Sequence, residues 1–329
     1  TDLYFSHHED SLKLLTKIAQ LCSFIQAPLF TSVDCELFGV DRYSELADID
    51  SIVDVIQHNK HYFWLEFQKS SVANFILISL PDLLLRNPYS YHNSSVSSSL
   101  FNEYIGEKDK HGLWGSSAFA MAINCINSFK QYNICSAMSG PKHGEIDDWQ
   151  LDYQSGAVNN PLPLRVLLTE KKEAELVHLG FCPVSGLKNS KGIIFQTSHS
   201  VHWGYAVSQR VLKGQESLNL LLGTELSQLF IVFRLAQYLK ILTRNFVGDY
   251  STVTELEAKL MHWLLSYVSD MENPGLETKL KRPLKKVVLS LSEDKNQENW
   301  YRADLKLTPH SHYQGKYFEL ALEFGIAKY

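Results

Sequence analysis

A chain of 329 residues is long enough for a large core and most naturally forms two domains. With 45% apolar and 20% charged residues its composition is that of an ordinary globular protein, and a formal charge of -5 argues against a generic nucleic-acid binder that must neutralise many phosphates. Cys22, Cys35, Cys125, Cys135 and Cys182 lie far apart with no C-x-x-C pair, so they read as reduced buried thiols of a cytoplasmic protein and as no zinc constellation.

No signal peptide and no membrane span is visible. The run from Ala73 to Leu85 is interrupted by Asn74, Ser79, Pro81 and Asp82, and the run from Leu226 to Val247 carries Arg234, Lys240 and Arg244. The chain opens on Thr1-Asp-Leu-Tyr without an initiator Met, so it is expected to start partway through a longer gene product.

In chain order, Ser6-His-His-Glu9 has the spacing of a capping box, and Leu12, Leu15, Ile18, Ala19, Cys22 and Ile25 recur at helical intervals behind it. Leu29 to Val33 is a predicted strand. Helices are predicted over 44–57 and 62–69, and a buried strand over 72–80, ended by Pro81. Residues 93–99 are a serine-rich surface loop, residues 114–129 a packed helix, and Gly140-Pro-Lys-His-Gly144 a turn cluster. A strand over 164–169, a helix over 170–179 ended by Gly180, and a strand over 181–184 form a strand–helix–strand unit of α/β type, followed by another strand over 193–197.

The last third changes character. Residues 226–246 read as a mostly buried helix with one polar stripe of Ser227, Arg234, Gln237, Lys240 and Arg244. Thr252-Val-Thr-Glu255 is a second capping box, opening a helix whose apolar face is Leu256, Leu260, Trp263, Leu264 and Tyr267. Three alternating strands follow, over 287–291, 301–307 and 317–324. The fold class is therefore mixed α/β, with a C-terminal helical pair leading into a three-stranded β segment. The boundary falls near 205, giving domains of 1–205 and 206–329.

Catalytic signatures are not found: there is no G-x-G-x-x-G, P-loop, G-x-S-x-G or H-E-x-x-H. Ser139-Gly-Pro-Lys142 matches S-x-x-K, but Pro141 forbids the helix that catalytic versions use, and the turn reading is preferred. His310 and His312 could offer two metal nitrogens, yet no third ligand is indicated nearby, so turn packing or an interface hydrogen bond is the better reading. Asp147 and Asp148 are neighbours whose side chains diverge in an extended segment. No cofactor and no metal is expected. Lys279, Lys281, Arg282, Lys285 and Lys286 form the densest charge run, either a solvated face or a contact for an acidic protein neighbour.

Several segments together carry a resemblance. They are Leu14-Leu-Thr-Lys-Ile-Ala19 with Gln26-Ala-Pro-Leu-Phe30, Tyr62-Phe-Trp64, Leu80-Pro-Asp-Leu-Leu-Leu-Arg86 with Pro88-Tyr89, Leu113-Trp-Gly-Ser-Ser-Ala-Phe119, and Glu173 to Phe181. With Arg234, Tyr238, Trp263, Pro283, Pro309 and His310 in the last third, they follow in order the pattern of the large subunit of the type VI secretion contractile sheath, the TssC/VipB/ImpC/EvpB family. Gln237 stands where that family usually has His, and the 93–99 loop is peculiar to this chain. These departures point to a divergent, IglB-like branch.

The resemblance implies domains like those of phage tail sheaths and a non-enzymatic structural role. It implies a heterodimer with a small sheath subunit of the TssB/VipA/IglA kind, polymerised helically with copies of itself around an inner tube of Hcp-like hexamers. The sheath would stand on a membrane-anchored baseplate in the bacterial cytoplasm and be recycled by an AAA+ unfoldase, with no nucleic acid and no membrane insertion. The region before Thr1 would hold part of the small-subunit contact and any unfoldase signal.

The residues supply a physical route to such an assembly. Tyr317, Phe318, Glu319, Leu320, Ala321, Leu322, Glu323 and Phe324 form a strong strand near the C-terminus, able to add to a neighbour's sheet edge or else to complete its own sheet. A head-to-tail contact of that kind builds a filament. Two other readings stay open: a non-polymerising scaffold of the same ancestry, and an α/β enzyme of unrecognised type.

Overall fold

The computed structural model describes residues 3–57, 61–86, 113–147, 149, 153–155, 158–160, 163–187, 192–208, 223–245, 252–271, 273–293, 300–310, 312–313, 316–317 and 320–327. The serine-rich 93–99 stretch, Pro88, Tyr89, Asp148, Phe318 and Glu319 lie outside these residues. Two compact units emerge, one of Thr1–Cys125 and Met138–Ser208, the other of Ile126–Ala137 and Gln209–Tyr329.

In the first unit, six strands lie in the order β1 (Tyr4–Phe5), β2 (Leu29–Val33), β3 (Ile76–Leu80), β9 (Cys182–Gly186), β10 (Ile193–Phe195) and β6 (Glu145–Ile146). The first four run parallel and the last two pairings are antiparallel. Every residue of β3 is buried, as a strand covered on both faces requires. Around the sheet run α1 (Glu9–Ile25), α2 (Ile52–Gln57), α3 (Tyr62–Lys69), α5 (Glu170–His178) and α6 (His202–Ser208). Leu12, Leu15 and Ala19 of α1, Trp64 and Phe67 of α3, and Phe181 share one core with β2 and β3. The Trp64 and Phe181 rings stack at 5.4 Å, 2° from parallel. Three further short pairs involve β4 (Leu83–Arg86) with β5 (Leu113–Gly115) and β7 (Tyr153–Ser155) with β8 (Val158–Asn160) in this unit, and β13 (His312–Tyr313) with β14 (Lys316–Tyr317) in the second.

Several expectations need correction here. Helix α1 begins at Glu9 with His8 as its N-cap, and the His8 side chain makes no capping bond; the Ser6 amide instead donates to Ser11 Oγ at 3.1 Å. The 44–57 helix is broken into a 3-10 turn over Tyr43–Ala47 and α2. Ser51 Oγ accepts from the Asp54 amide and Glu175 Oε2 from the Ile52 amide, so side chains start a fresh helix at 52. The strand predicted from Val72 starts only at Ile76. Ser70 Oγ accepts from the Val72 amide and opens a 3-10 turn over Ser71–Phe75. The start of the 114–129 helix is β5, and the helix itself, α4, runs over Ala118–Tyr132.

No strand forms over 164–169. Leu164 makes one bridge to Leu83, the Arg165 amide donates to the Asp82 carbonyl, and Thr169 Oγ1 caps α5. The parallel partner of β9 is therefore β3, from much earlier in the chain. Gly180 does end α5, with φ 89°, where a Cβ would lie 2.6 Å from the Val201 carbonyl oxygen.

In the second unit, α7 (Leu226–Asn245) and α8 (Val253–Leu265) pack on an antiparallel sheet of β11 (Leu284–Glu293), β12 (Trp300–Pro309) and β15 (Leu320–Ala327), in that order. A shorter helix, α9 (Leu276–Lys281), leads into β11. Alternation does the sorting: Val287, Leu289, Leu291, Ala303, Leu305 and Leu307 turn inward onto Ile231, Leu235, Leu239, Leu256, Leu260 and Leu264. Gln237, Lys240 and Arg244 of the predicted polar stripe are exposed, but Ser227 is buried. Thr252 does cap α8 as predicted, its Oγ1 accepting from the Glu255 amide at 3.4 Å. The mixed α/β architecture, with a helical pair before a three-stranded sheet, is the one expected.

Candidate assembly surface

The two edges of the second unit's sheet differ. The outer edge of β11 is met by its own chain at two points: the Leu291 amide donates to Glu257 Oε2 of α8 at 3.1 Å, and Leu284 exchanges backbone hydrogen bonds with Tyr267 and Ser269. The outer edge of β15 has no strand beside it among the described residues. On its inner side β15 pairs over its full length with β12, from Leu307↔Leu320 to Trp300↔Ala327.

Of the strand residues singled out in the sequence, Leu320, Ala321, Leu322, Glu323 and Phe324 thus complete their own sheet within this chain, and Tyr317 belongs to the β13–β14 pair. Ala321 and Glu323 are exposed. Glu323 accepts from Arg302 Nη2 at 2.7 Å across the solvent face.

The basic run is divided by local structure. Lys281 is held by Glu277 one turn earlier at 2.7 Å, an exposed pair that raises the ammonium pKa through hydrogen bonding and charge. A β-bulge between Leu284 and Lys286 breaks the alternation, so that Lys285 and Lys286 both face solvent while Val287 still turns inward. Arg282 is exposed. It lines a recess of about 720 Å³ together with Lys281, Asp270 and Glu277, so that recess carries both signs of charge.

Six of the positions carried by the resemblance fall on one continuous strip. Arg234 on α7 lies over the Tyr238 ring at 4.3 Å and the Phe129 ring at 4.8 Å, and its Nη2 donates to Tyr238 Oη at 2.7 Å. Tyr238 stacks on Trp263 of α8 at 6.0 Å, and Trp263 meets Tyr267 edge-on at 5.2 Å. Burial raises the Tyr267 phenol pKa, and its carbonyl accepts from the Leu284 amide next to Pro283. The Pro283 carbonyl in turn accepts from the His310 amide at 2.9 Å, with Pro309 opposite Leu284 in the ladder.

His310 is buried, its pKa lowered first by desolvation and then by Lys279 and Lys285. Gln237 is exposed on α7, off this strip. Side chains rich in Arg, Tyr and Trp are those that dominate protein–protein contacts.

The turn reading of 139–142 also stands. Gly140 and Lys142 both have positive φ, and Ser139 Oγ donates to Ser198 Oγ at 2.9 Å, with Lys142 out in solvent.

A second surface escaped the sequence reading. Helix α1 buries Leu12, Leu15, Ala19 and Cys22, yet Leu14, Leu21, Phe24 and Ile25 stay exposed on it, Phe24 at 87%. Ile25, predicted inward, is 57% exposed. The signal was available as a second apolar spacing, Leu14 to Leu21 to Ile25, on the opposite side of the same helix.

Residues 1–202 match the family model described as EvpB/VC_A0108, tail sheath N-terminal domain, and residues 215–326 match that of the EvpB/VC_A0108 tail sheath gpW/gp25-like domain. Over 327 residues, 98% of this chain, the sequence is 25% identical to the type VI secretion system sheath protein TssC1 of Pseudomonas aeruginosa. The chain spans 65% of the length of that relative. No described helix is long and apolar enough to cross a membrane.

Proposed function

The chain belongs to the EvpB/VC_A0108 tail sheath family, and on that premise we propose that it is the large subunit of a type VI contractile sheath. It heterodimerises with a small sheath subunit and polymerises helically with its own copies around an inner tube of Hcp-like hexamers. It works in the bacterial cytoplasm on a baseplate, and an unfoldase recycles it. It carries out no catalysis of its own.

The observation that carries this reading is the asymmetry of the C-terminal sheet. One edge is tied to its own chain at Leu291 by α8 and at Leu284 by Tyr267–Ser269, and β15 leaves the other without a neighbour among the described residues. An open edge is a template for main-chain pairing, and a heterologous edge contact repeats into a helical filament. Pairing through the open edge of β15 keeps subunits linked while contraction switches the lattice between two packings. The basic residues 279–286 meet an acidic neighbour, with Arg282, Lys285 and Lys286 exposed among them.

High-speed sedimentation of native lysate followed by negative-stain microscopy tests the reading. Hollow tubes containing this chain and one smaller protein are expected. Protein that stays in the supernatant as a small particle, with its genetic neighbours co-expressed, returns the scaffold reading. Deleting the residues after Gly315 should abolish tubes, and tubes of normal length from that truncation would contradict the strand linkage.

A further inference from the structure

We propose that His7, His8 and Glu36 form a binding site for a divalent transition-metal ion of the zinc class. The three side chains each place a donor atom within 4.8 Å of the other two. They come from segments far apart in sequence, and the sheet brings them together. His7 and His8 follow β1, while Glu36 lies in the 3-10 turn Cys35–Phe38 that follows β2. Strands β1 and β2 are parallel neighbours, Phe5 opposite Val33, so both segments leave the sheet at the same end.

The backbone there is fixed before any ion arrives. The Asp34 amide donates to the Phe5 carbonyl at 2.8 Å and extends the ladder by one step. Asp34 Oδ1 accepts from the Glu36 amide and holds the turn that presents the carboxylate. On the other strand the Ser6 amide is tied to Ser11 Oγ, and His8 sits as the extended N-cap of α1.

The distances suit a metal. His8 Nε2 lies 3.7 Å from Glu36 Oε2, beyond hydrogen-bond length. Two ligands on a tetrahedral zinc with bonds near 2.1 Å stand roughly 3.4 Å apart, so the His8–Glu36 pair needs only a small adjustment, and the His7 donor, within 4.8 Å of both, closes on the ion by side-chain rotation. Both side chains are half exposed or more, so the pair without an ion adds little stability. His7 Nδ1 is buried with no hydrogen-bond partner, the kind of gap that an ion or its bound water fills. The His7 and His8 rings lie 4.4 Å apart, and His61 stands edge-on to His7 at 6.1 Å as a buried wall.

Two imidazoles and one carboxylate make a zinc-type donor set and leave a fourth position for water. Softer sets need thiolate, and magnesium or calcium sites need more oxygen. The ion would clamp the end of β1 to the turn after β2.

The test is calorimetric titration of Zn²⁺ alone into the full chain, prepared without a histidine tag, with Co²⁺ absorption as a second readout. One ion per chain at micromolar affinity is expected, with the visible bands of tetrahedral cobalt. His7→Ala and Glu36→Gln should each weaken binding by about tenfold or more with circular dichroism unchanged. No uptake at millimolar zinc overturns the proposal. So does uptake that neither substitution alters, which would assign the ion to other side chains.

Discussion

The two sheets solve the same problem differently. In the first unit β3 is buried at every residue, and the strand order runs on to six members with helices packed around it. In the second unit only alternate residues of β11 and β12 are buried, and the opposite face carries Lys286, Ser290, Arg302 and Lys306. The first sheet has a finished interior at β3, with the short strands β1 and β6 at its edges. The other has three strands, a polar face and an edge with no described neighbour. The difference teaches where to expect stability and where to expect assembly: substitutions in the first sheet should unfold the protein, and substitutions at the β15 edge should leave it folded but unassembled.

The largest stability effect should come from Trp64→Ala. Trp64 is fully buried and stacked on Phe181, and its truncation should cost about 4 kcal/mol, read as a lowered urea midpoint. A loss below 1 kcal/mol would mean the first unit is less closed than described.

Next comes a pH dependence from His199. This side chain is fully buried against Trp203 at 4.6 Å, and desolvation lowers its pKa from 6.5 to about 3. The unfolded chain binds a proton that the native state refuses, so the contribution is fully present above the unfolded pKa and is lost as pH falls toward the folded one. Stability should therefore drop by about 2 kcal/mol between about pH 7 and 5, and His199→Phe should remove that part of the slope.

A smaller effect belongs to the second unit's helix start. Thr252→Ala removes the hydroxyl that accepts from the Glu255 amide and should cost about 0.5–1 kcal/mol in thermal unfolding. Ala321→Lys sharpens the comparison most, although it should move stability least, within about 0.5 kcal/mol. Its position is exposed on β15, and a lysine there is the device by which natural edges refuse a partner. Sedimenting material should disappear while the melting curve stays put.

Much of this architecture was legible in the chain. Leu29 to Val33 and Tyr62 to Lys69 agree with the observed strand and helix because periodicity and flanking residues point the same way. The failures share a cause. Residues 164–169 read as a strand, but among the described residues no strand lies beside them beyond one bridge, and pairing is a tertiary fact. Residues 72–75 and 44–51 read as continuations of their elements, yet Ser70, Ser51 and Glu175 hydrogen-bond the backbone and reset it.

At the candidate surface, Arg234 and Tyr238 were readable as an i, i+4 pair. Their link through Trp263 and Tyr267 to Pro283 and His310 was not, because it depends on how α8 meets β11. The same holds for Glu36 beside His7 and His8, which only the β1–β2 pairing brings together.

The most direct measurement is hydrogen exchange by mass spectrometry on dispersed protein and on sedimented assemblies. The account predicts that amides of residues 320–327 gain protection on assembly while those of β3, already buried, do not change. Tubes that form with β15 exchange unaltered would contradict it.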